Sequence, residues 1–408
     1  MTKKKVIVML AIGFVLIAGV FLTRNILTMV KTKSGIKLIV PYTKNEADIF
    51  NKYLLNFYDK ENDVDTSYIT SEFSFKENIE NFEVKGDVFY SLYSSQISDI
   101  ARTSENIHFY KDMKFSIPKV FYSLSGSEKF YSYVPITFSP WGFYYNKELF
   151  TDLGLEEPKN FNELIEIANI LKDKDVVPFS MLQDLRWPMT IWFDYLNIRI
   201  NGAEFHNSLL IGLSDFRDKK VLNVYSEIYS MINKGYFTIV PKESNWLEMI
   251  DMVVNKKSAM ILGAGFVFDN TNDEDKKNMG WFPFPLVNKQ DHYSEIVSTS
   301  GYFTGISNVA HDFIEYSLSK QGQIIISDYS NYYPINKEIL LRKKREDLLE
   351  AYDHIVKAKS VIPSFERNTN PEISQQIKTS LNLLFRINDV NEISGILEKL
   401  ESVRLEAQ

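Results

Sequence analysis

The side chains of this sequence that could do chemistry are scattered rather than gathered. Five histidines, His108, His206, His292, His311 and His354, stand far apart, and no HExxH, GxSxG or GxxxxGK[ST] pattern links them to a metal, a nucleophile or a nucleotide phosphate. Cysteine is absent, which excludes disulfides, a thiolate nucleophile and sulfur-ligated metals. Glu156 and Glu157 are adjacent, so they point apart on either a helix or a strand and cannot flank one glycosidic bond. Gly263-Ala264-Gly265 is at most a fragment of a dinucleotide loop, because Phe268 stands where the third glycine belongs. The residues therefore argue against an enzyme and ask for no cofactor and no metal. Flat surface is what the chain has in quantity: 29 Phe, 23 Tyr and 5 Trp make up 14% of it. Most of these rings must pack a core, and the remainder can stack on the apolar face of a ligand while carboxylates and amides bond its hydroxyls.

Positioning such residues needs a folded frame. With 45% hydrophobic and 24% charged residues the chain is ordinary for a globular protein, and 408 residues exceed what a single core usually holds, so two lobes are expected. Ile36 to Pro41 reads as a strand, and Ile49, Phe50, Tyr53, Leu54 and Phe57 fall at helical spacing within 46–58. Val64 to Ile69 and Asp87 to Tyr90 read as further strands, with a weak helix over 75–82 between them. A second unit opens at Phe143-Tyr144-Tyr145, continues into a helix capped by Asn160, and returns through Val176-Val177-Pro178. The pattern predicts helices over 187–198, 221–233 and 245–254, a strand over 259–262, and a mainly helical C-terminal 75 residues. Strands alternating with helices imply an α/β fold with parallel sheets, whose ligands sit beyond the carboxyl ends of the strands.

The first 35 residues are different in kind. Lys3-Lys4-Lys5 precede the unbroken apolar run Val6 to Leu22, the pattern of an export signal. As a helix that run rises about 25 Å, within the tolerated range for spanning a bilayer. Ile17-Ala18-Gly19-Val20 resembles a lipoprotein cleavage box in which valine replaces the lipidated cysteine, so lipidation is excluded. No small-x-small cleavage site ends the run, and the reading is a retained membrane anchor, with a cleaved signal as the alternative. Residues 1 to 35 hold six basic and no acidic side chains, so without them the net charge moves from −7 to −13. A body this acidic repels nucleic acid.

Four segments, read in order, resemble the extracellular solute-binding proteins typified by maltose-binding protein. They are Phe143 to Phe150 with Gly154-Leu155, Pro158 and Asn160 to Leu164; Gly235-Tyr236-Phe237 followed by Met252 to Met260; Gly280 to Pro285; and Ser298 to Ser307 with His311 to Ser319. Asn160 and Phe161 replace the family's usual Thr and Trp, and Lys256 and Ser258 replace a Gly and an Ala. The resemblance implies a two-lobed periplasmic-binding-protein type II fold with hinge crossings, preceded by the N-terminal hydrophobic helix. The lobes would be 36–138 plus 286–335 and 139–285 plus 336–408, after a segment 1–35 of signal or anchor and spacer. Crossings are expected near 136–143, 284–288 and 333–337.

By the same resemblance Asp184 and Trp187 fall where the family places second-lobe contacts, and Phe266 where members often carry a stacking Trp. Gly263 and Gly265 would then let a ligand approach the backbone. Tyr42, Glu46, Tyr90, Tyr93 and Tyr302 fall in first-lobe loops near the cleft, and Trp141 beside the first hinge. For each, core packing or a surface role is the competing reading. The implied role is an extracytoplasmic receptor of an ABC importer, acting as a monomer and partnered by permease subunits, that closes over a small solute, a carbohydrate. An anchored ligand sensor and, last, a secreted glycan-processing enzyme are the rivals.

Overall fold

The structure is a computed structural model that describes residues 36–41, 47–62, 66–71, 88–91, 118, 120–121, 134–181, 187–238, 246–287, 293–298, 302–305, 308–329, 333–342 and 346–407. The N-terminal segment, the expected helix at 75–82, and Tyr42, Glu46, Tyr93 and Asp184 lie outside the described residues. Among the described residues no helix is long and apolar enough to cross a membrane.

Three sheets organise the chain. The first is ordered β2-β1-β3-β11-β4, where β1 is Ile36–Pro41, β2 Thr66–Ser71, β3 Val88–Ser91, β4 Val134–Pro135 and β11 Tyr302–Gly305. Its β1 pairs in parallel with both β2 and β3, as strand–helix–strand alternation requires. The helix Ala47–Asn62 packs back on this sheet, burying Leu54, Leu55 and Tyr58, the last edge-on to Phe313 of the helix Asn308–Leu318. The third sheet is ordered β7-β8-β6-β9, where β6 is Gly142–Asn146, β7 Val177–Phe179, β8 Ser258–Gly263 and β9 Met279–Phe282. Here β7 and β8 are parallel, while β6 runs antiparallel to its neighbours β8 and β9.

Between them lies a sheet ordered β12-β5-β10-β13, made of Tyr333–Pro334, Thr137–Pro140, Ser294–Ser298 and Ser360–Pro363. It consists of the segments that pass from one end sheet to the other. The chain runs β4-β5-β6 from the first sheet through the middle to the third, and β9-β10-β11 back again. A third passage goes through β12 to the helices that close the C-terminal half. This is the two-lobed α/β solute-binding fold expected from the sequence. Before the return passage Phe284 packs in the second-lobe core, its ring stacked on Tyr195 at 4.6 Å and 5°.

Local chemistry accounts for the elements flanking the site. Asn160 caps the helix Phe161–Asp173, its Oδ1 accepting from Glu163 N at 3.1 Å, and Glu163 returns a carboxylate to Lys159 N at 2.7 Å. That helix turns Leu164, Ala168 and Leu171 inward on one face. The helix Trp187–Asn201 is apolar nearly all round and accordingly sits inside, with every residue from Pro188 to Arg199 buried. Aromatic rings fill the second-lobe core, among them Phe143, Phe179, Trp192, Phe237 and Phe282.

Candidate functional site

Two parallel strands point their carboxyl ends the same way, and an aromatic residue stands just beyond each. After β7 the chain enters the helix Trp187–Asn201 with Trp187 at its first position; after β8 it turns through Gly263, Ala264 and Gly265 into the helix Phe266–Asp269. Trp141 immediately precedes β6, and the register Gly142↔Gly263 sets it beside the end of β8. The three rings meet: centroids lie 6.0 Å apart for Trp141–Trp187, 5.9 Å for Trp141–Phe266 and 5.7 Å for Trp187–Phe266. A fourth ring joins them, Trp246, 5.3 Å from Phe266 at the start of the helix Leu247–Val254. All four contacts are edge-on, the geometry the aromatic quadrupole prefers, and each adds roughly 0.5–1.5 kcal/mol beyond its buried area. Trp187, Trp246 and Phe266 keep part of their surface exposed, while Trp141 is buried. Trp187 and Phe266 also touch both hydrophobic cores, which places the cluster at their junction.

The middle sheet holds this cluster from behind. The Trp141 indole N–H donates to Ser298 Oγ at 2.8 Å, and its backbone N–H donates to Ile296 O at 3.3 Å, both on β10. Ser139 Oγ on β5 accepts from Gly265 N at 2.9 Å, and the Tyr333 hydroxyl on β12 donates to Gly265 O at 2.9 Å. A Cβ on Gly265 would lie 2.0 Å from the Tyr333 ring. The missing side chain at 265 therefore makes room for Tyr333 rather than for a ligand, and Val267 fills the corresponding space at Gly263. The expected approach of a ligand to these two glycines is corrected accordingly.

Beneath Trp141 lies a buried charge network that the sequence did not announce. Arg199 and Glu295, each with its side chain 1% exposed, form an ion pair at 2.6 Å. Arg199 also donates to Phe284 O at 3.1 Å and to Ser294 O. Glu295 further accepts from His354 Nε2 at 3.1 Å, and the Tyr195 hydroxyl lies 3.2 Å from Glu295 Oε2 and 3.0 Å from Trp141 O. Burial alone would raise the Glu295 carboxyl, but the Arg199 charge and the His354 contact outweigh it and hold it below the usual value. Burial, then the neighbouring Glu295 charge, raises the Tyr195 phenol, which stays a neutral donor. The pair joins the helix Trp187–Asn201 to the crossing strand β10, so second lobe and middle sheet are fastened at the point where Trp141 sits.

The other expected site residues are placed differently. Tyr90 is fully buried in the first-lobe core, edge-on to Phe303 at 5.6 Å, so its ring faces no solvent. Tyr302 lies on β11, paired with Ser91 and Pro135. A hollow of about 640 Å³ lined by Tyr145, Phe150, Glu157 and Phe282, among others, sits toward the carboxyl end of β6, at the other end of the third sheet from the cluster. One group among the described residues, His311, Asp312 and Glu315, has metal-ligand spacing, but it lies on a first-lobe helix and two of its members are exposed.

Comparison with known proteins agrees with this architecture. The sequence profile of the bacterial extracellular solute-binding proteins matches residues 43–324. The chain belongs to that family. Among solved structures, the bacterial solute receptor AcbH, described as exclusive for β-D-galactopyranose, superposes with a TM-score of 0.80 at 19% identity, covering 91% of this chain and 97% of that one. A binding protein from Bacillus subtilis in an open conformation gives 0.73 at 14% identity, covering 92% and 99%. A sugar transporter protein from Bacillus licheniformis in complex with stachyose gives 0.63 at 16%, covering 91% and 100%. These identities speak for the fold. In sequence, an ABC transporter extracellular-binding protein of Pyrococcus horikoshii is 26% identical over 158 residues, 37% of this chain and 35% of its own length. A multiple sugar-binding protein of Streptococcus mutans is 24% identical over 165 residues, 39% of each. The chain thus matches little more than a third of the length of either curated relative.

Proposed function

We propose that this solute-binding protein is the extracytoplasmic receptor of an ABC importer and that its solute is a sugar or oligosaccharide. The observation that carries the reading is the cluster of Trp141, Trp187, Trp246 and Phe266 at the carboxyl ends of β7 and β8. Partly exposed indoles offer faces for the apolar C–H side of a pyranose, and the location is where open α/β sheets collect their ligands. The curated relatives add support: one is named as a transporter's extracellular-binding protein and the other as sugar-binding. Asp184, one segment before Trp187, would bond a hydroxyl, and Tyr42, Glu46, Tyr93 and Tyr302 would face the ligand from the first lobe. The lobes are taken as 36–138 plus 286–335 and 139–285 plus 336–408, closing by a hinge motion at the crossings. Segment 1–35 would anchor the protein, as a monomer, to the outer face of the cytoplasmic membrane beside its permease subunits.

Titration calorimetry of the purified protein tests the reading, with a panel of oligosaccharides, monosaccharides, amino acids, polyamines and metal ions. Saturable binding of a sugar, weakened in Trp187→Ala, is expected. Binding of an amino acid, polyamine or metal in place of every sugar would overturn it.

A further inference from the structure

Within the aromatic cluster the four rings are not equivalent. Among the described residues Phe266 contacts all three tryptophans, Trp141 and Trp187 each contact two members, and Trp246 contacts Phe266 alone. Trp141 is buried outright, and each perpendicular neighbour occupies part of a ring's face or rim, so among the three partly exposed rings the one with most neighbours has least face left for a ligand. Phe266 is that ring, although its position in the chain suggests a stacking platform. Trp246 is the opposite case. It is half-buried, packed on one side against the hydrophobic core and edge-on to Phe266 alone within the cluster.

The local chain explains how Trp246 reaches this place. It stands at the start of the helix Leu247–Val254, which buries Met249, Ile250 and Val253. The chain then reverses through Lys256, whose φ of 58° is left-handed, and enters β8. Helix and strand are consecutive and packed together, so the start of the helix lies near the end of β8, where Phe266 begins. Trp187 and Trp246 therefore flank Phe266, with centroids 5.7 and 5.3 Å from it.

We infer that Trp246 is a sugar-stacking residue of the binding site, that Trp187 is its companion, and that Phe266 is a positioning residue holding the two indoles apart. The inference rests on the sugar-binding reading above and adds to it a specificity-determining position that sequence resemblance does not supply. Two indole platforms separated by a small hydrophobic ring suit pyranosides that present an apolar face to each.

The test uses the full-length protein in detergent, titrated with galactose, maltose, raffinose and stachyose. Truncating a contacting Trp commonly costs roughly tenfold or more in affinity, and Trp246→Ala is expected to lose that much for the best sugar. Trp246→Phe, which keeps a flat ring, retains most of the affinity. Phe266→Leu also weakens binding, and it shifts the intrinsic tryptophan emission of the unliganded protein, which a purely ligand-contacting role would leave unchanged. In the unaltered protein, bound sugar protects Trp246 from N-bromosuccinimide, read by peptide mass spectrometry; this readout stands even where a variant fails to fold. Wild-type affinity in Trp246→Ala together with loss in Trp187→Ala would overturn the inference and leave the function intact. Equal oxidation of Trp246 with and without a tightly bound sugar would do the same. A protein that binds no sugar would remove both.

Discussion

Replacing Arg199 by Met isolates the buried charge that fastens the second lobe to the middle sheet. The methionine fills much of the same volume but deletes the guanidinium that pairs with Glu295 at 2.6 Å and bonds the carbonyls of Phe284 and Ser294. Glu295 is then left 1% exposed, its remaining side-chain partners among the described residues being His354 at 3.1 Å and Tyr195 at 3.2 Å. Removing one partner of a buried pair costs about 3–5 kcal/mol because the remaining charge is uncompensated. Against a typical total of roughly 5–15 kcal/mol this is a large fraction, readable as a shift of the urea midpoint at pH 7. The double variant Arg199→Met/Glu295→Leu removes the stranded charge as well, so it should be more stable than Arg199→Met alone.

The pH dependence gives the same argument a second reading. In the wild type the Glu295 carboxyl titrates below its ordinary 4.5. The folded state therefore binds its proton less readily than the unfolded state, and the associated stability is present above about 4.5 and lost as pH falls through the lower folded value. Without Arg199, burial is opposed only by His354 and the hydrogen bonds, and the carboxyl moves up. The deficit of Arg199→Met relative to wild type should shrink on acidification. A deficit under about 1 kcal/mol at pH 7, or a double variant as unstable as the sum of its single changes, would refute the account.

Four further outcomes are expected. Gly265→Ala brings a Cβ to 2.0 Å from the Tyr333 ring and should destabilise by about 1–3 kcal/mol in denaturant melts, with the loss reduced when Tyr333→Leu is added. Asn160→Ala removes the cap that accepts from Glu163 N and should cost about 1 kcal/mol by the same measurement. Trp141→Phe keeps a ring but deletes the 2.8 Å bond to Ser298, for a loss near 1 kcal/mol and a change in sugar affinity in calorimetry. Burial raises Asp194 well above 3.8 and lowers His206 from 6.5 to about 3, so folding favours the neutral form of each. In denaturant melts across pH the Asp194 contribution is present below 3.8 and lost as pH rises through its raised folded value, a decline that Asp194→Asn should abolish, whereas the His206 contribution is present above 6.5 and lost as pH falls toward 3.

What could be read from the sequence follows the range over which its signals act. β1 covers Ile36–Pro41 as expected, because a β-branched run bounded by turn residues is a local statement. The Asn160 cap and the start of the helix at Trp187 are local in the same sense. Trp141, Trp187 and Phe266 are nominated by the resemblance to the solute-binding family rather than by a local pattern, and the structure brings them together. Trp246 carries no such signal: it lies one residue before its helix, and nothing within that segment connects it to Phe266, twenty positions later. Arg199 and Glu295 are 96 residues apart, and the only hint of either is a charge placed among apolar neighbours, in Ile198-Arg199-Ile200 and beside Ile296-Val297. Such a charge needs a partner, but its identity depends on the pairing of β10 with β5 and β13, which no local pattern encodes. The role of Gly265 is hidden for the same reason, since Tyr333 reaches it from 68 positions away.

These long-range contacts converge on one strand. β10 accepts the backbone of Trp141 at Ile296 and its indole at Ser298, and carries Glu295 between Arg199 and His354. β10 meets the second lobe twice, through Glu295 paired with Arg199 and through Ile296 packed in its core. Trp141 is thereby held from two directions while its ring rests on Trp187 and Phe266. Were the proposed ligand to shift either of those rings, the contact would pass to Trp141, whose bonds to Ile296 and Ser298 tie it to a strand that crosses between the lobes. The cluster and the crossing are in this sense one mechanical unit. Substitutions in the charge network are therefore expected to alter ligand affinity as well as stability, although Arg199 and Glu295 are too deeply buried to meet a ligand.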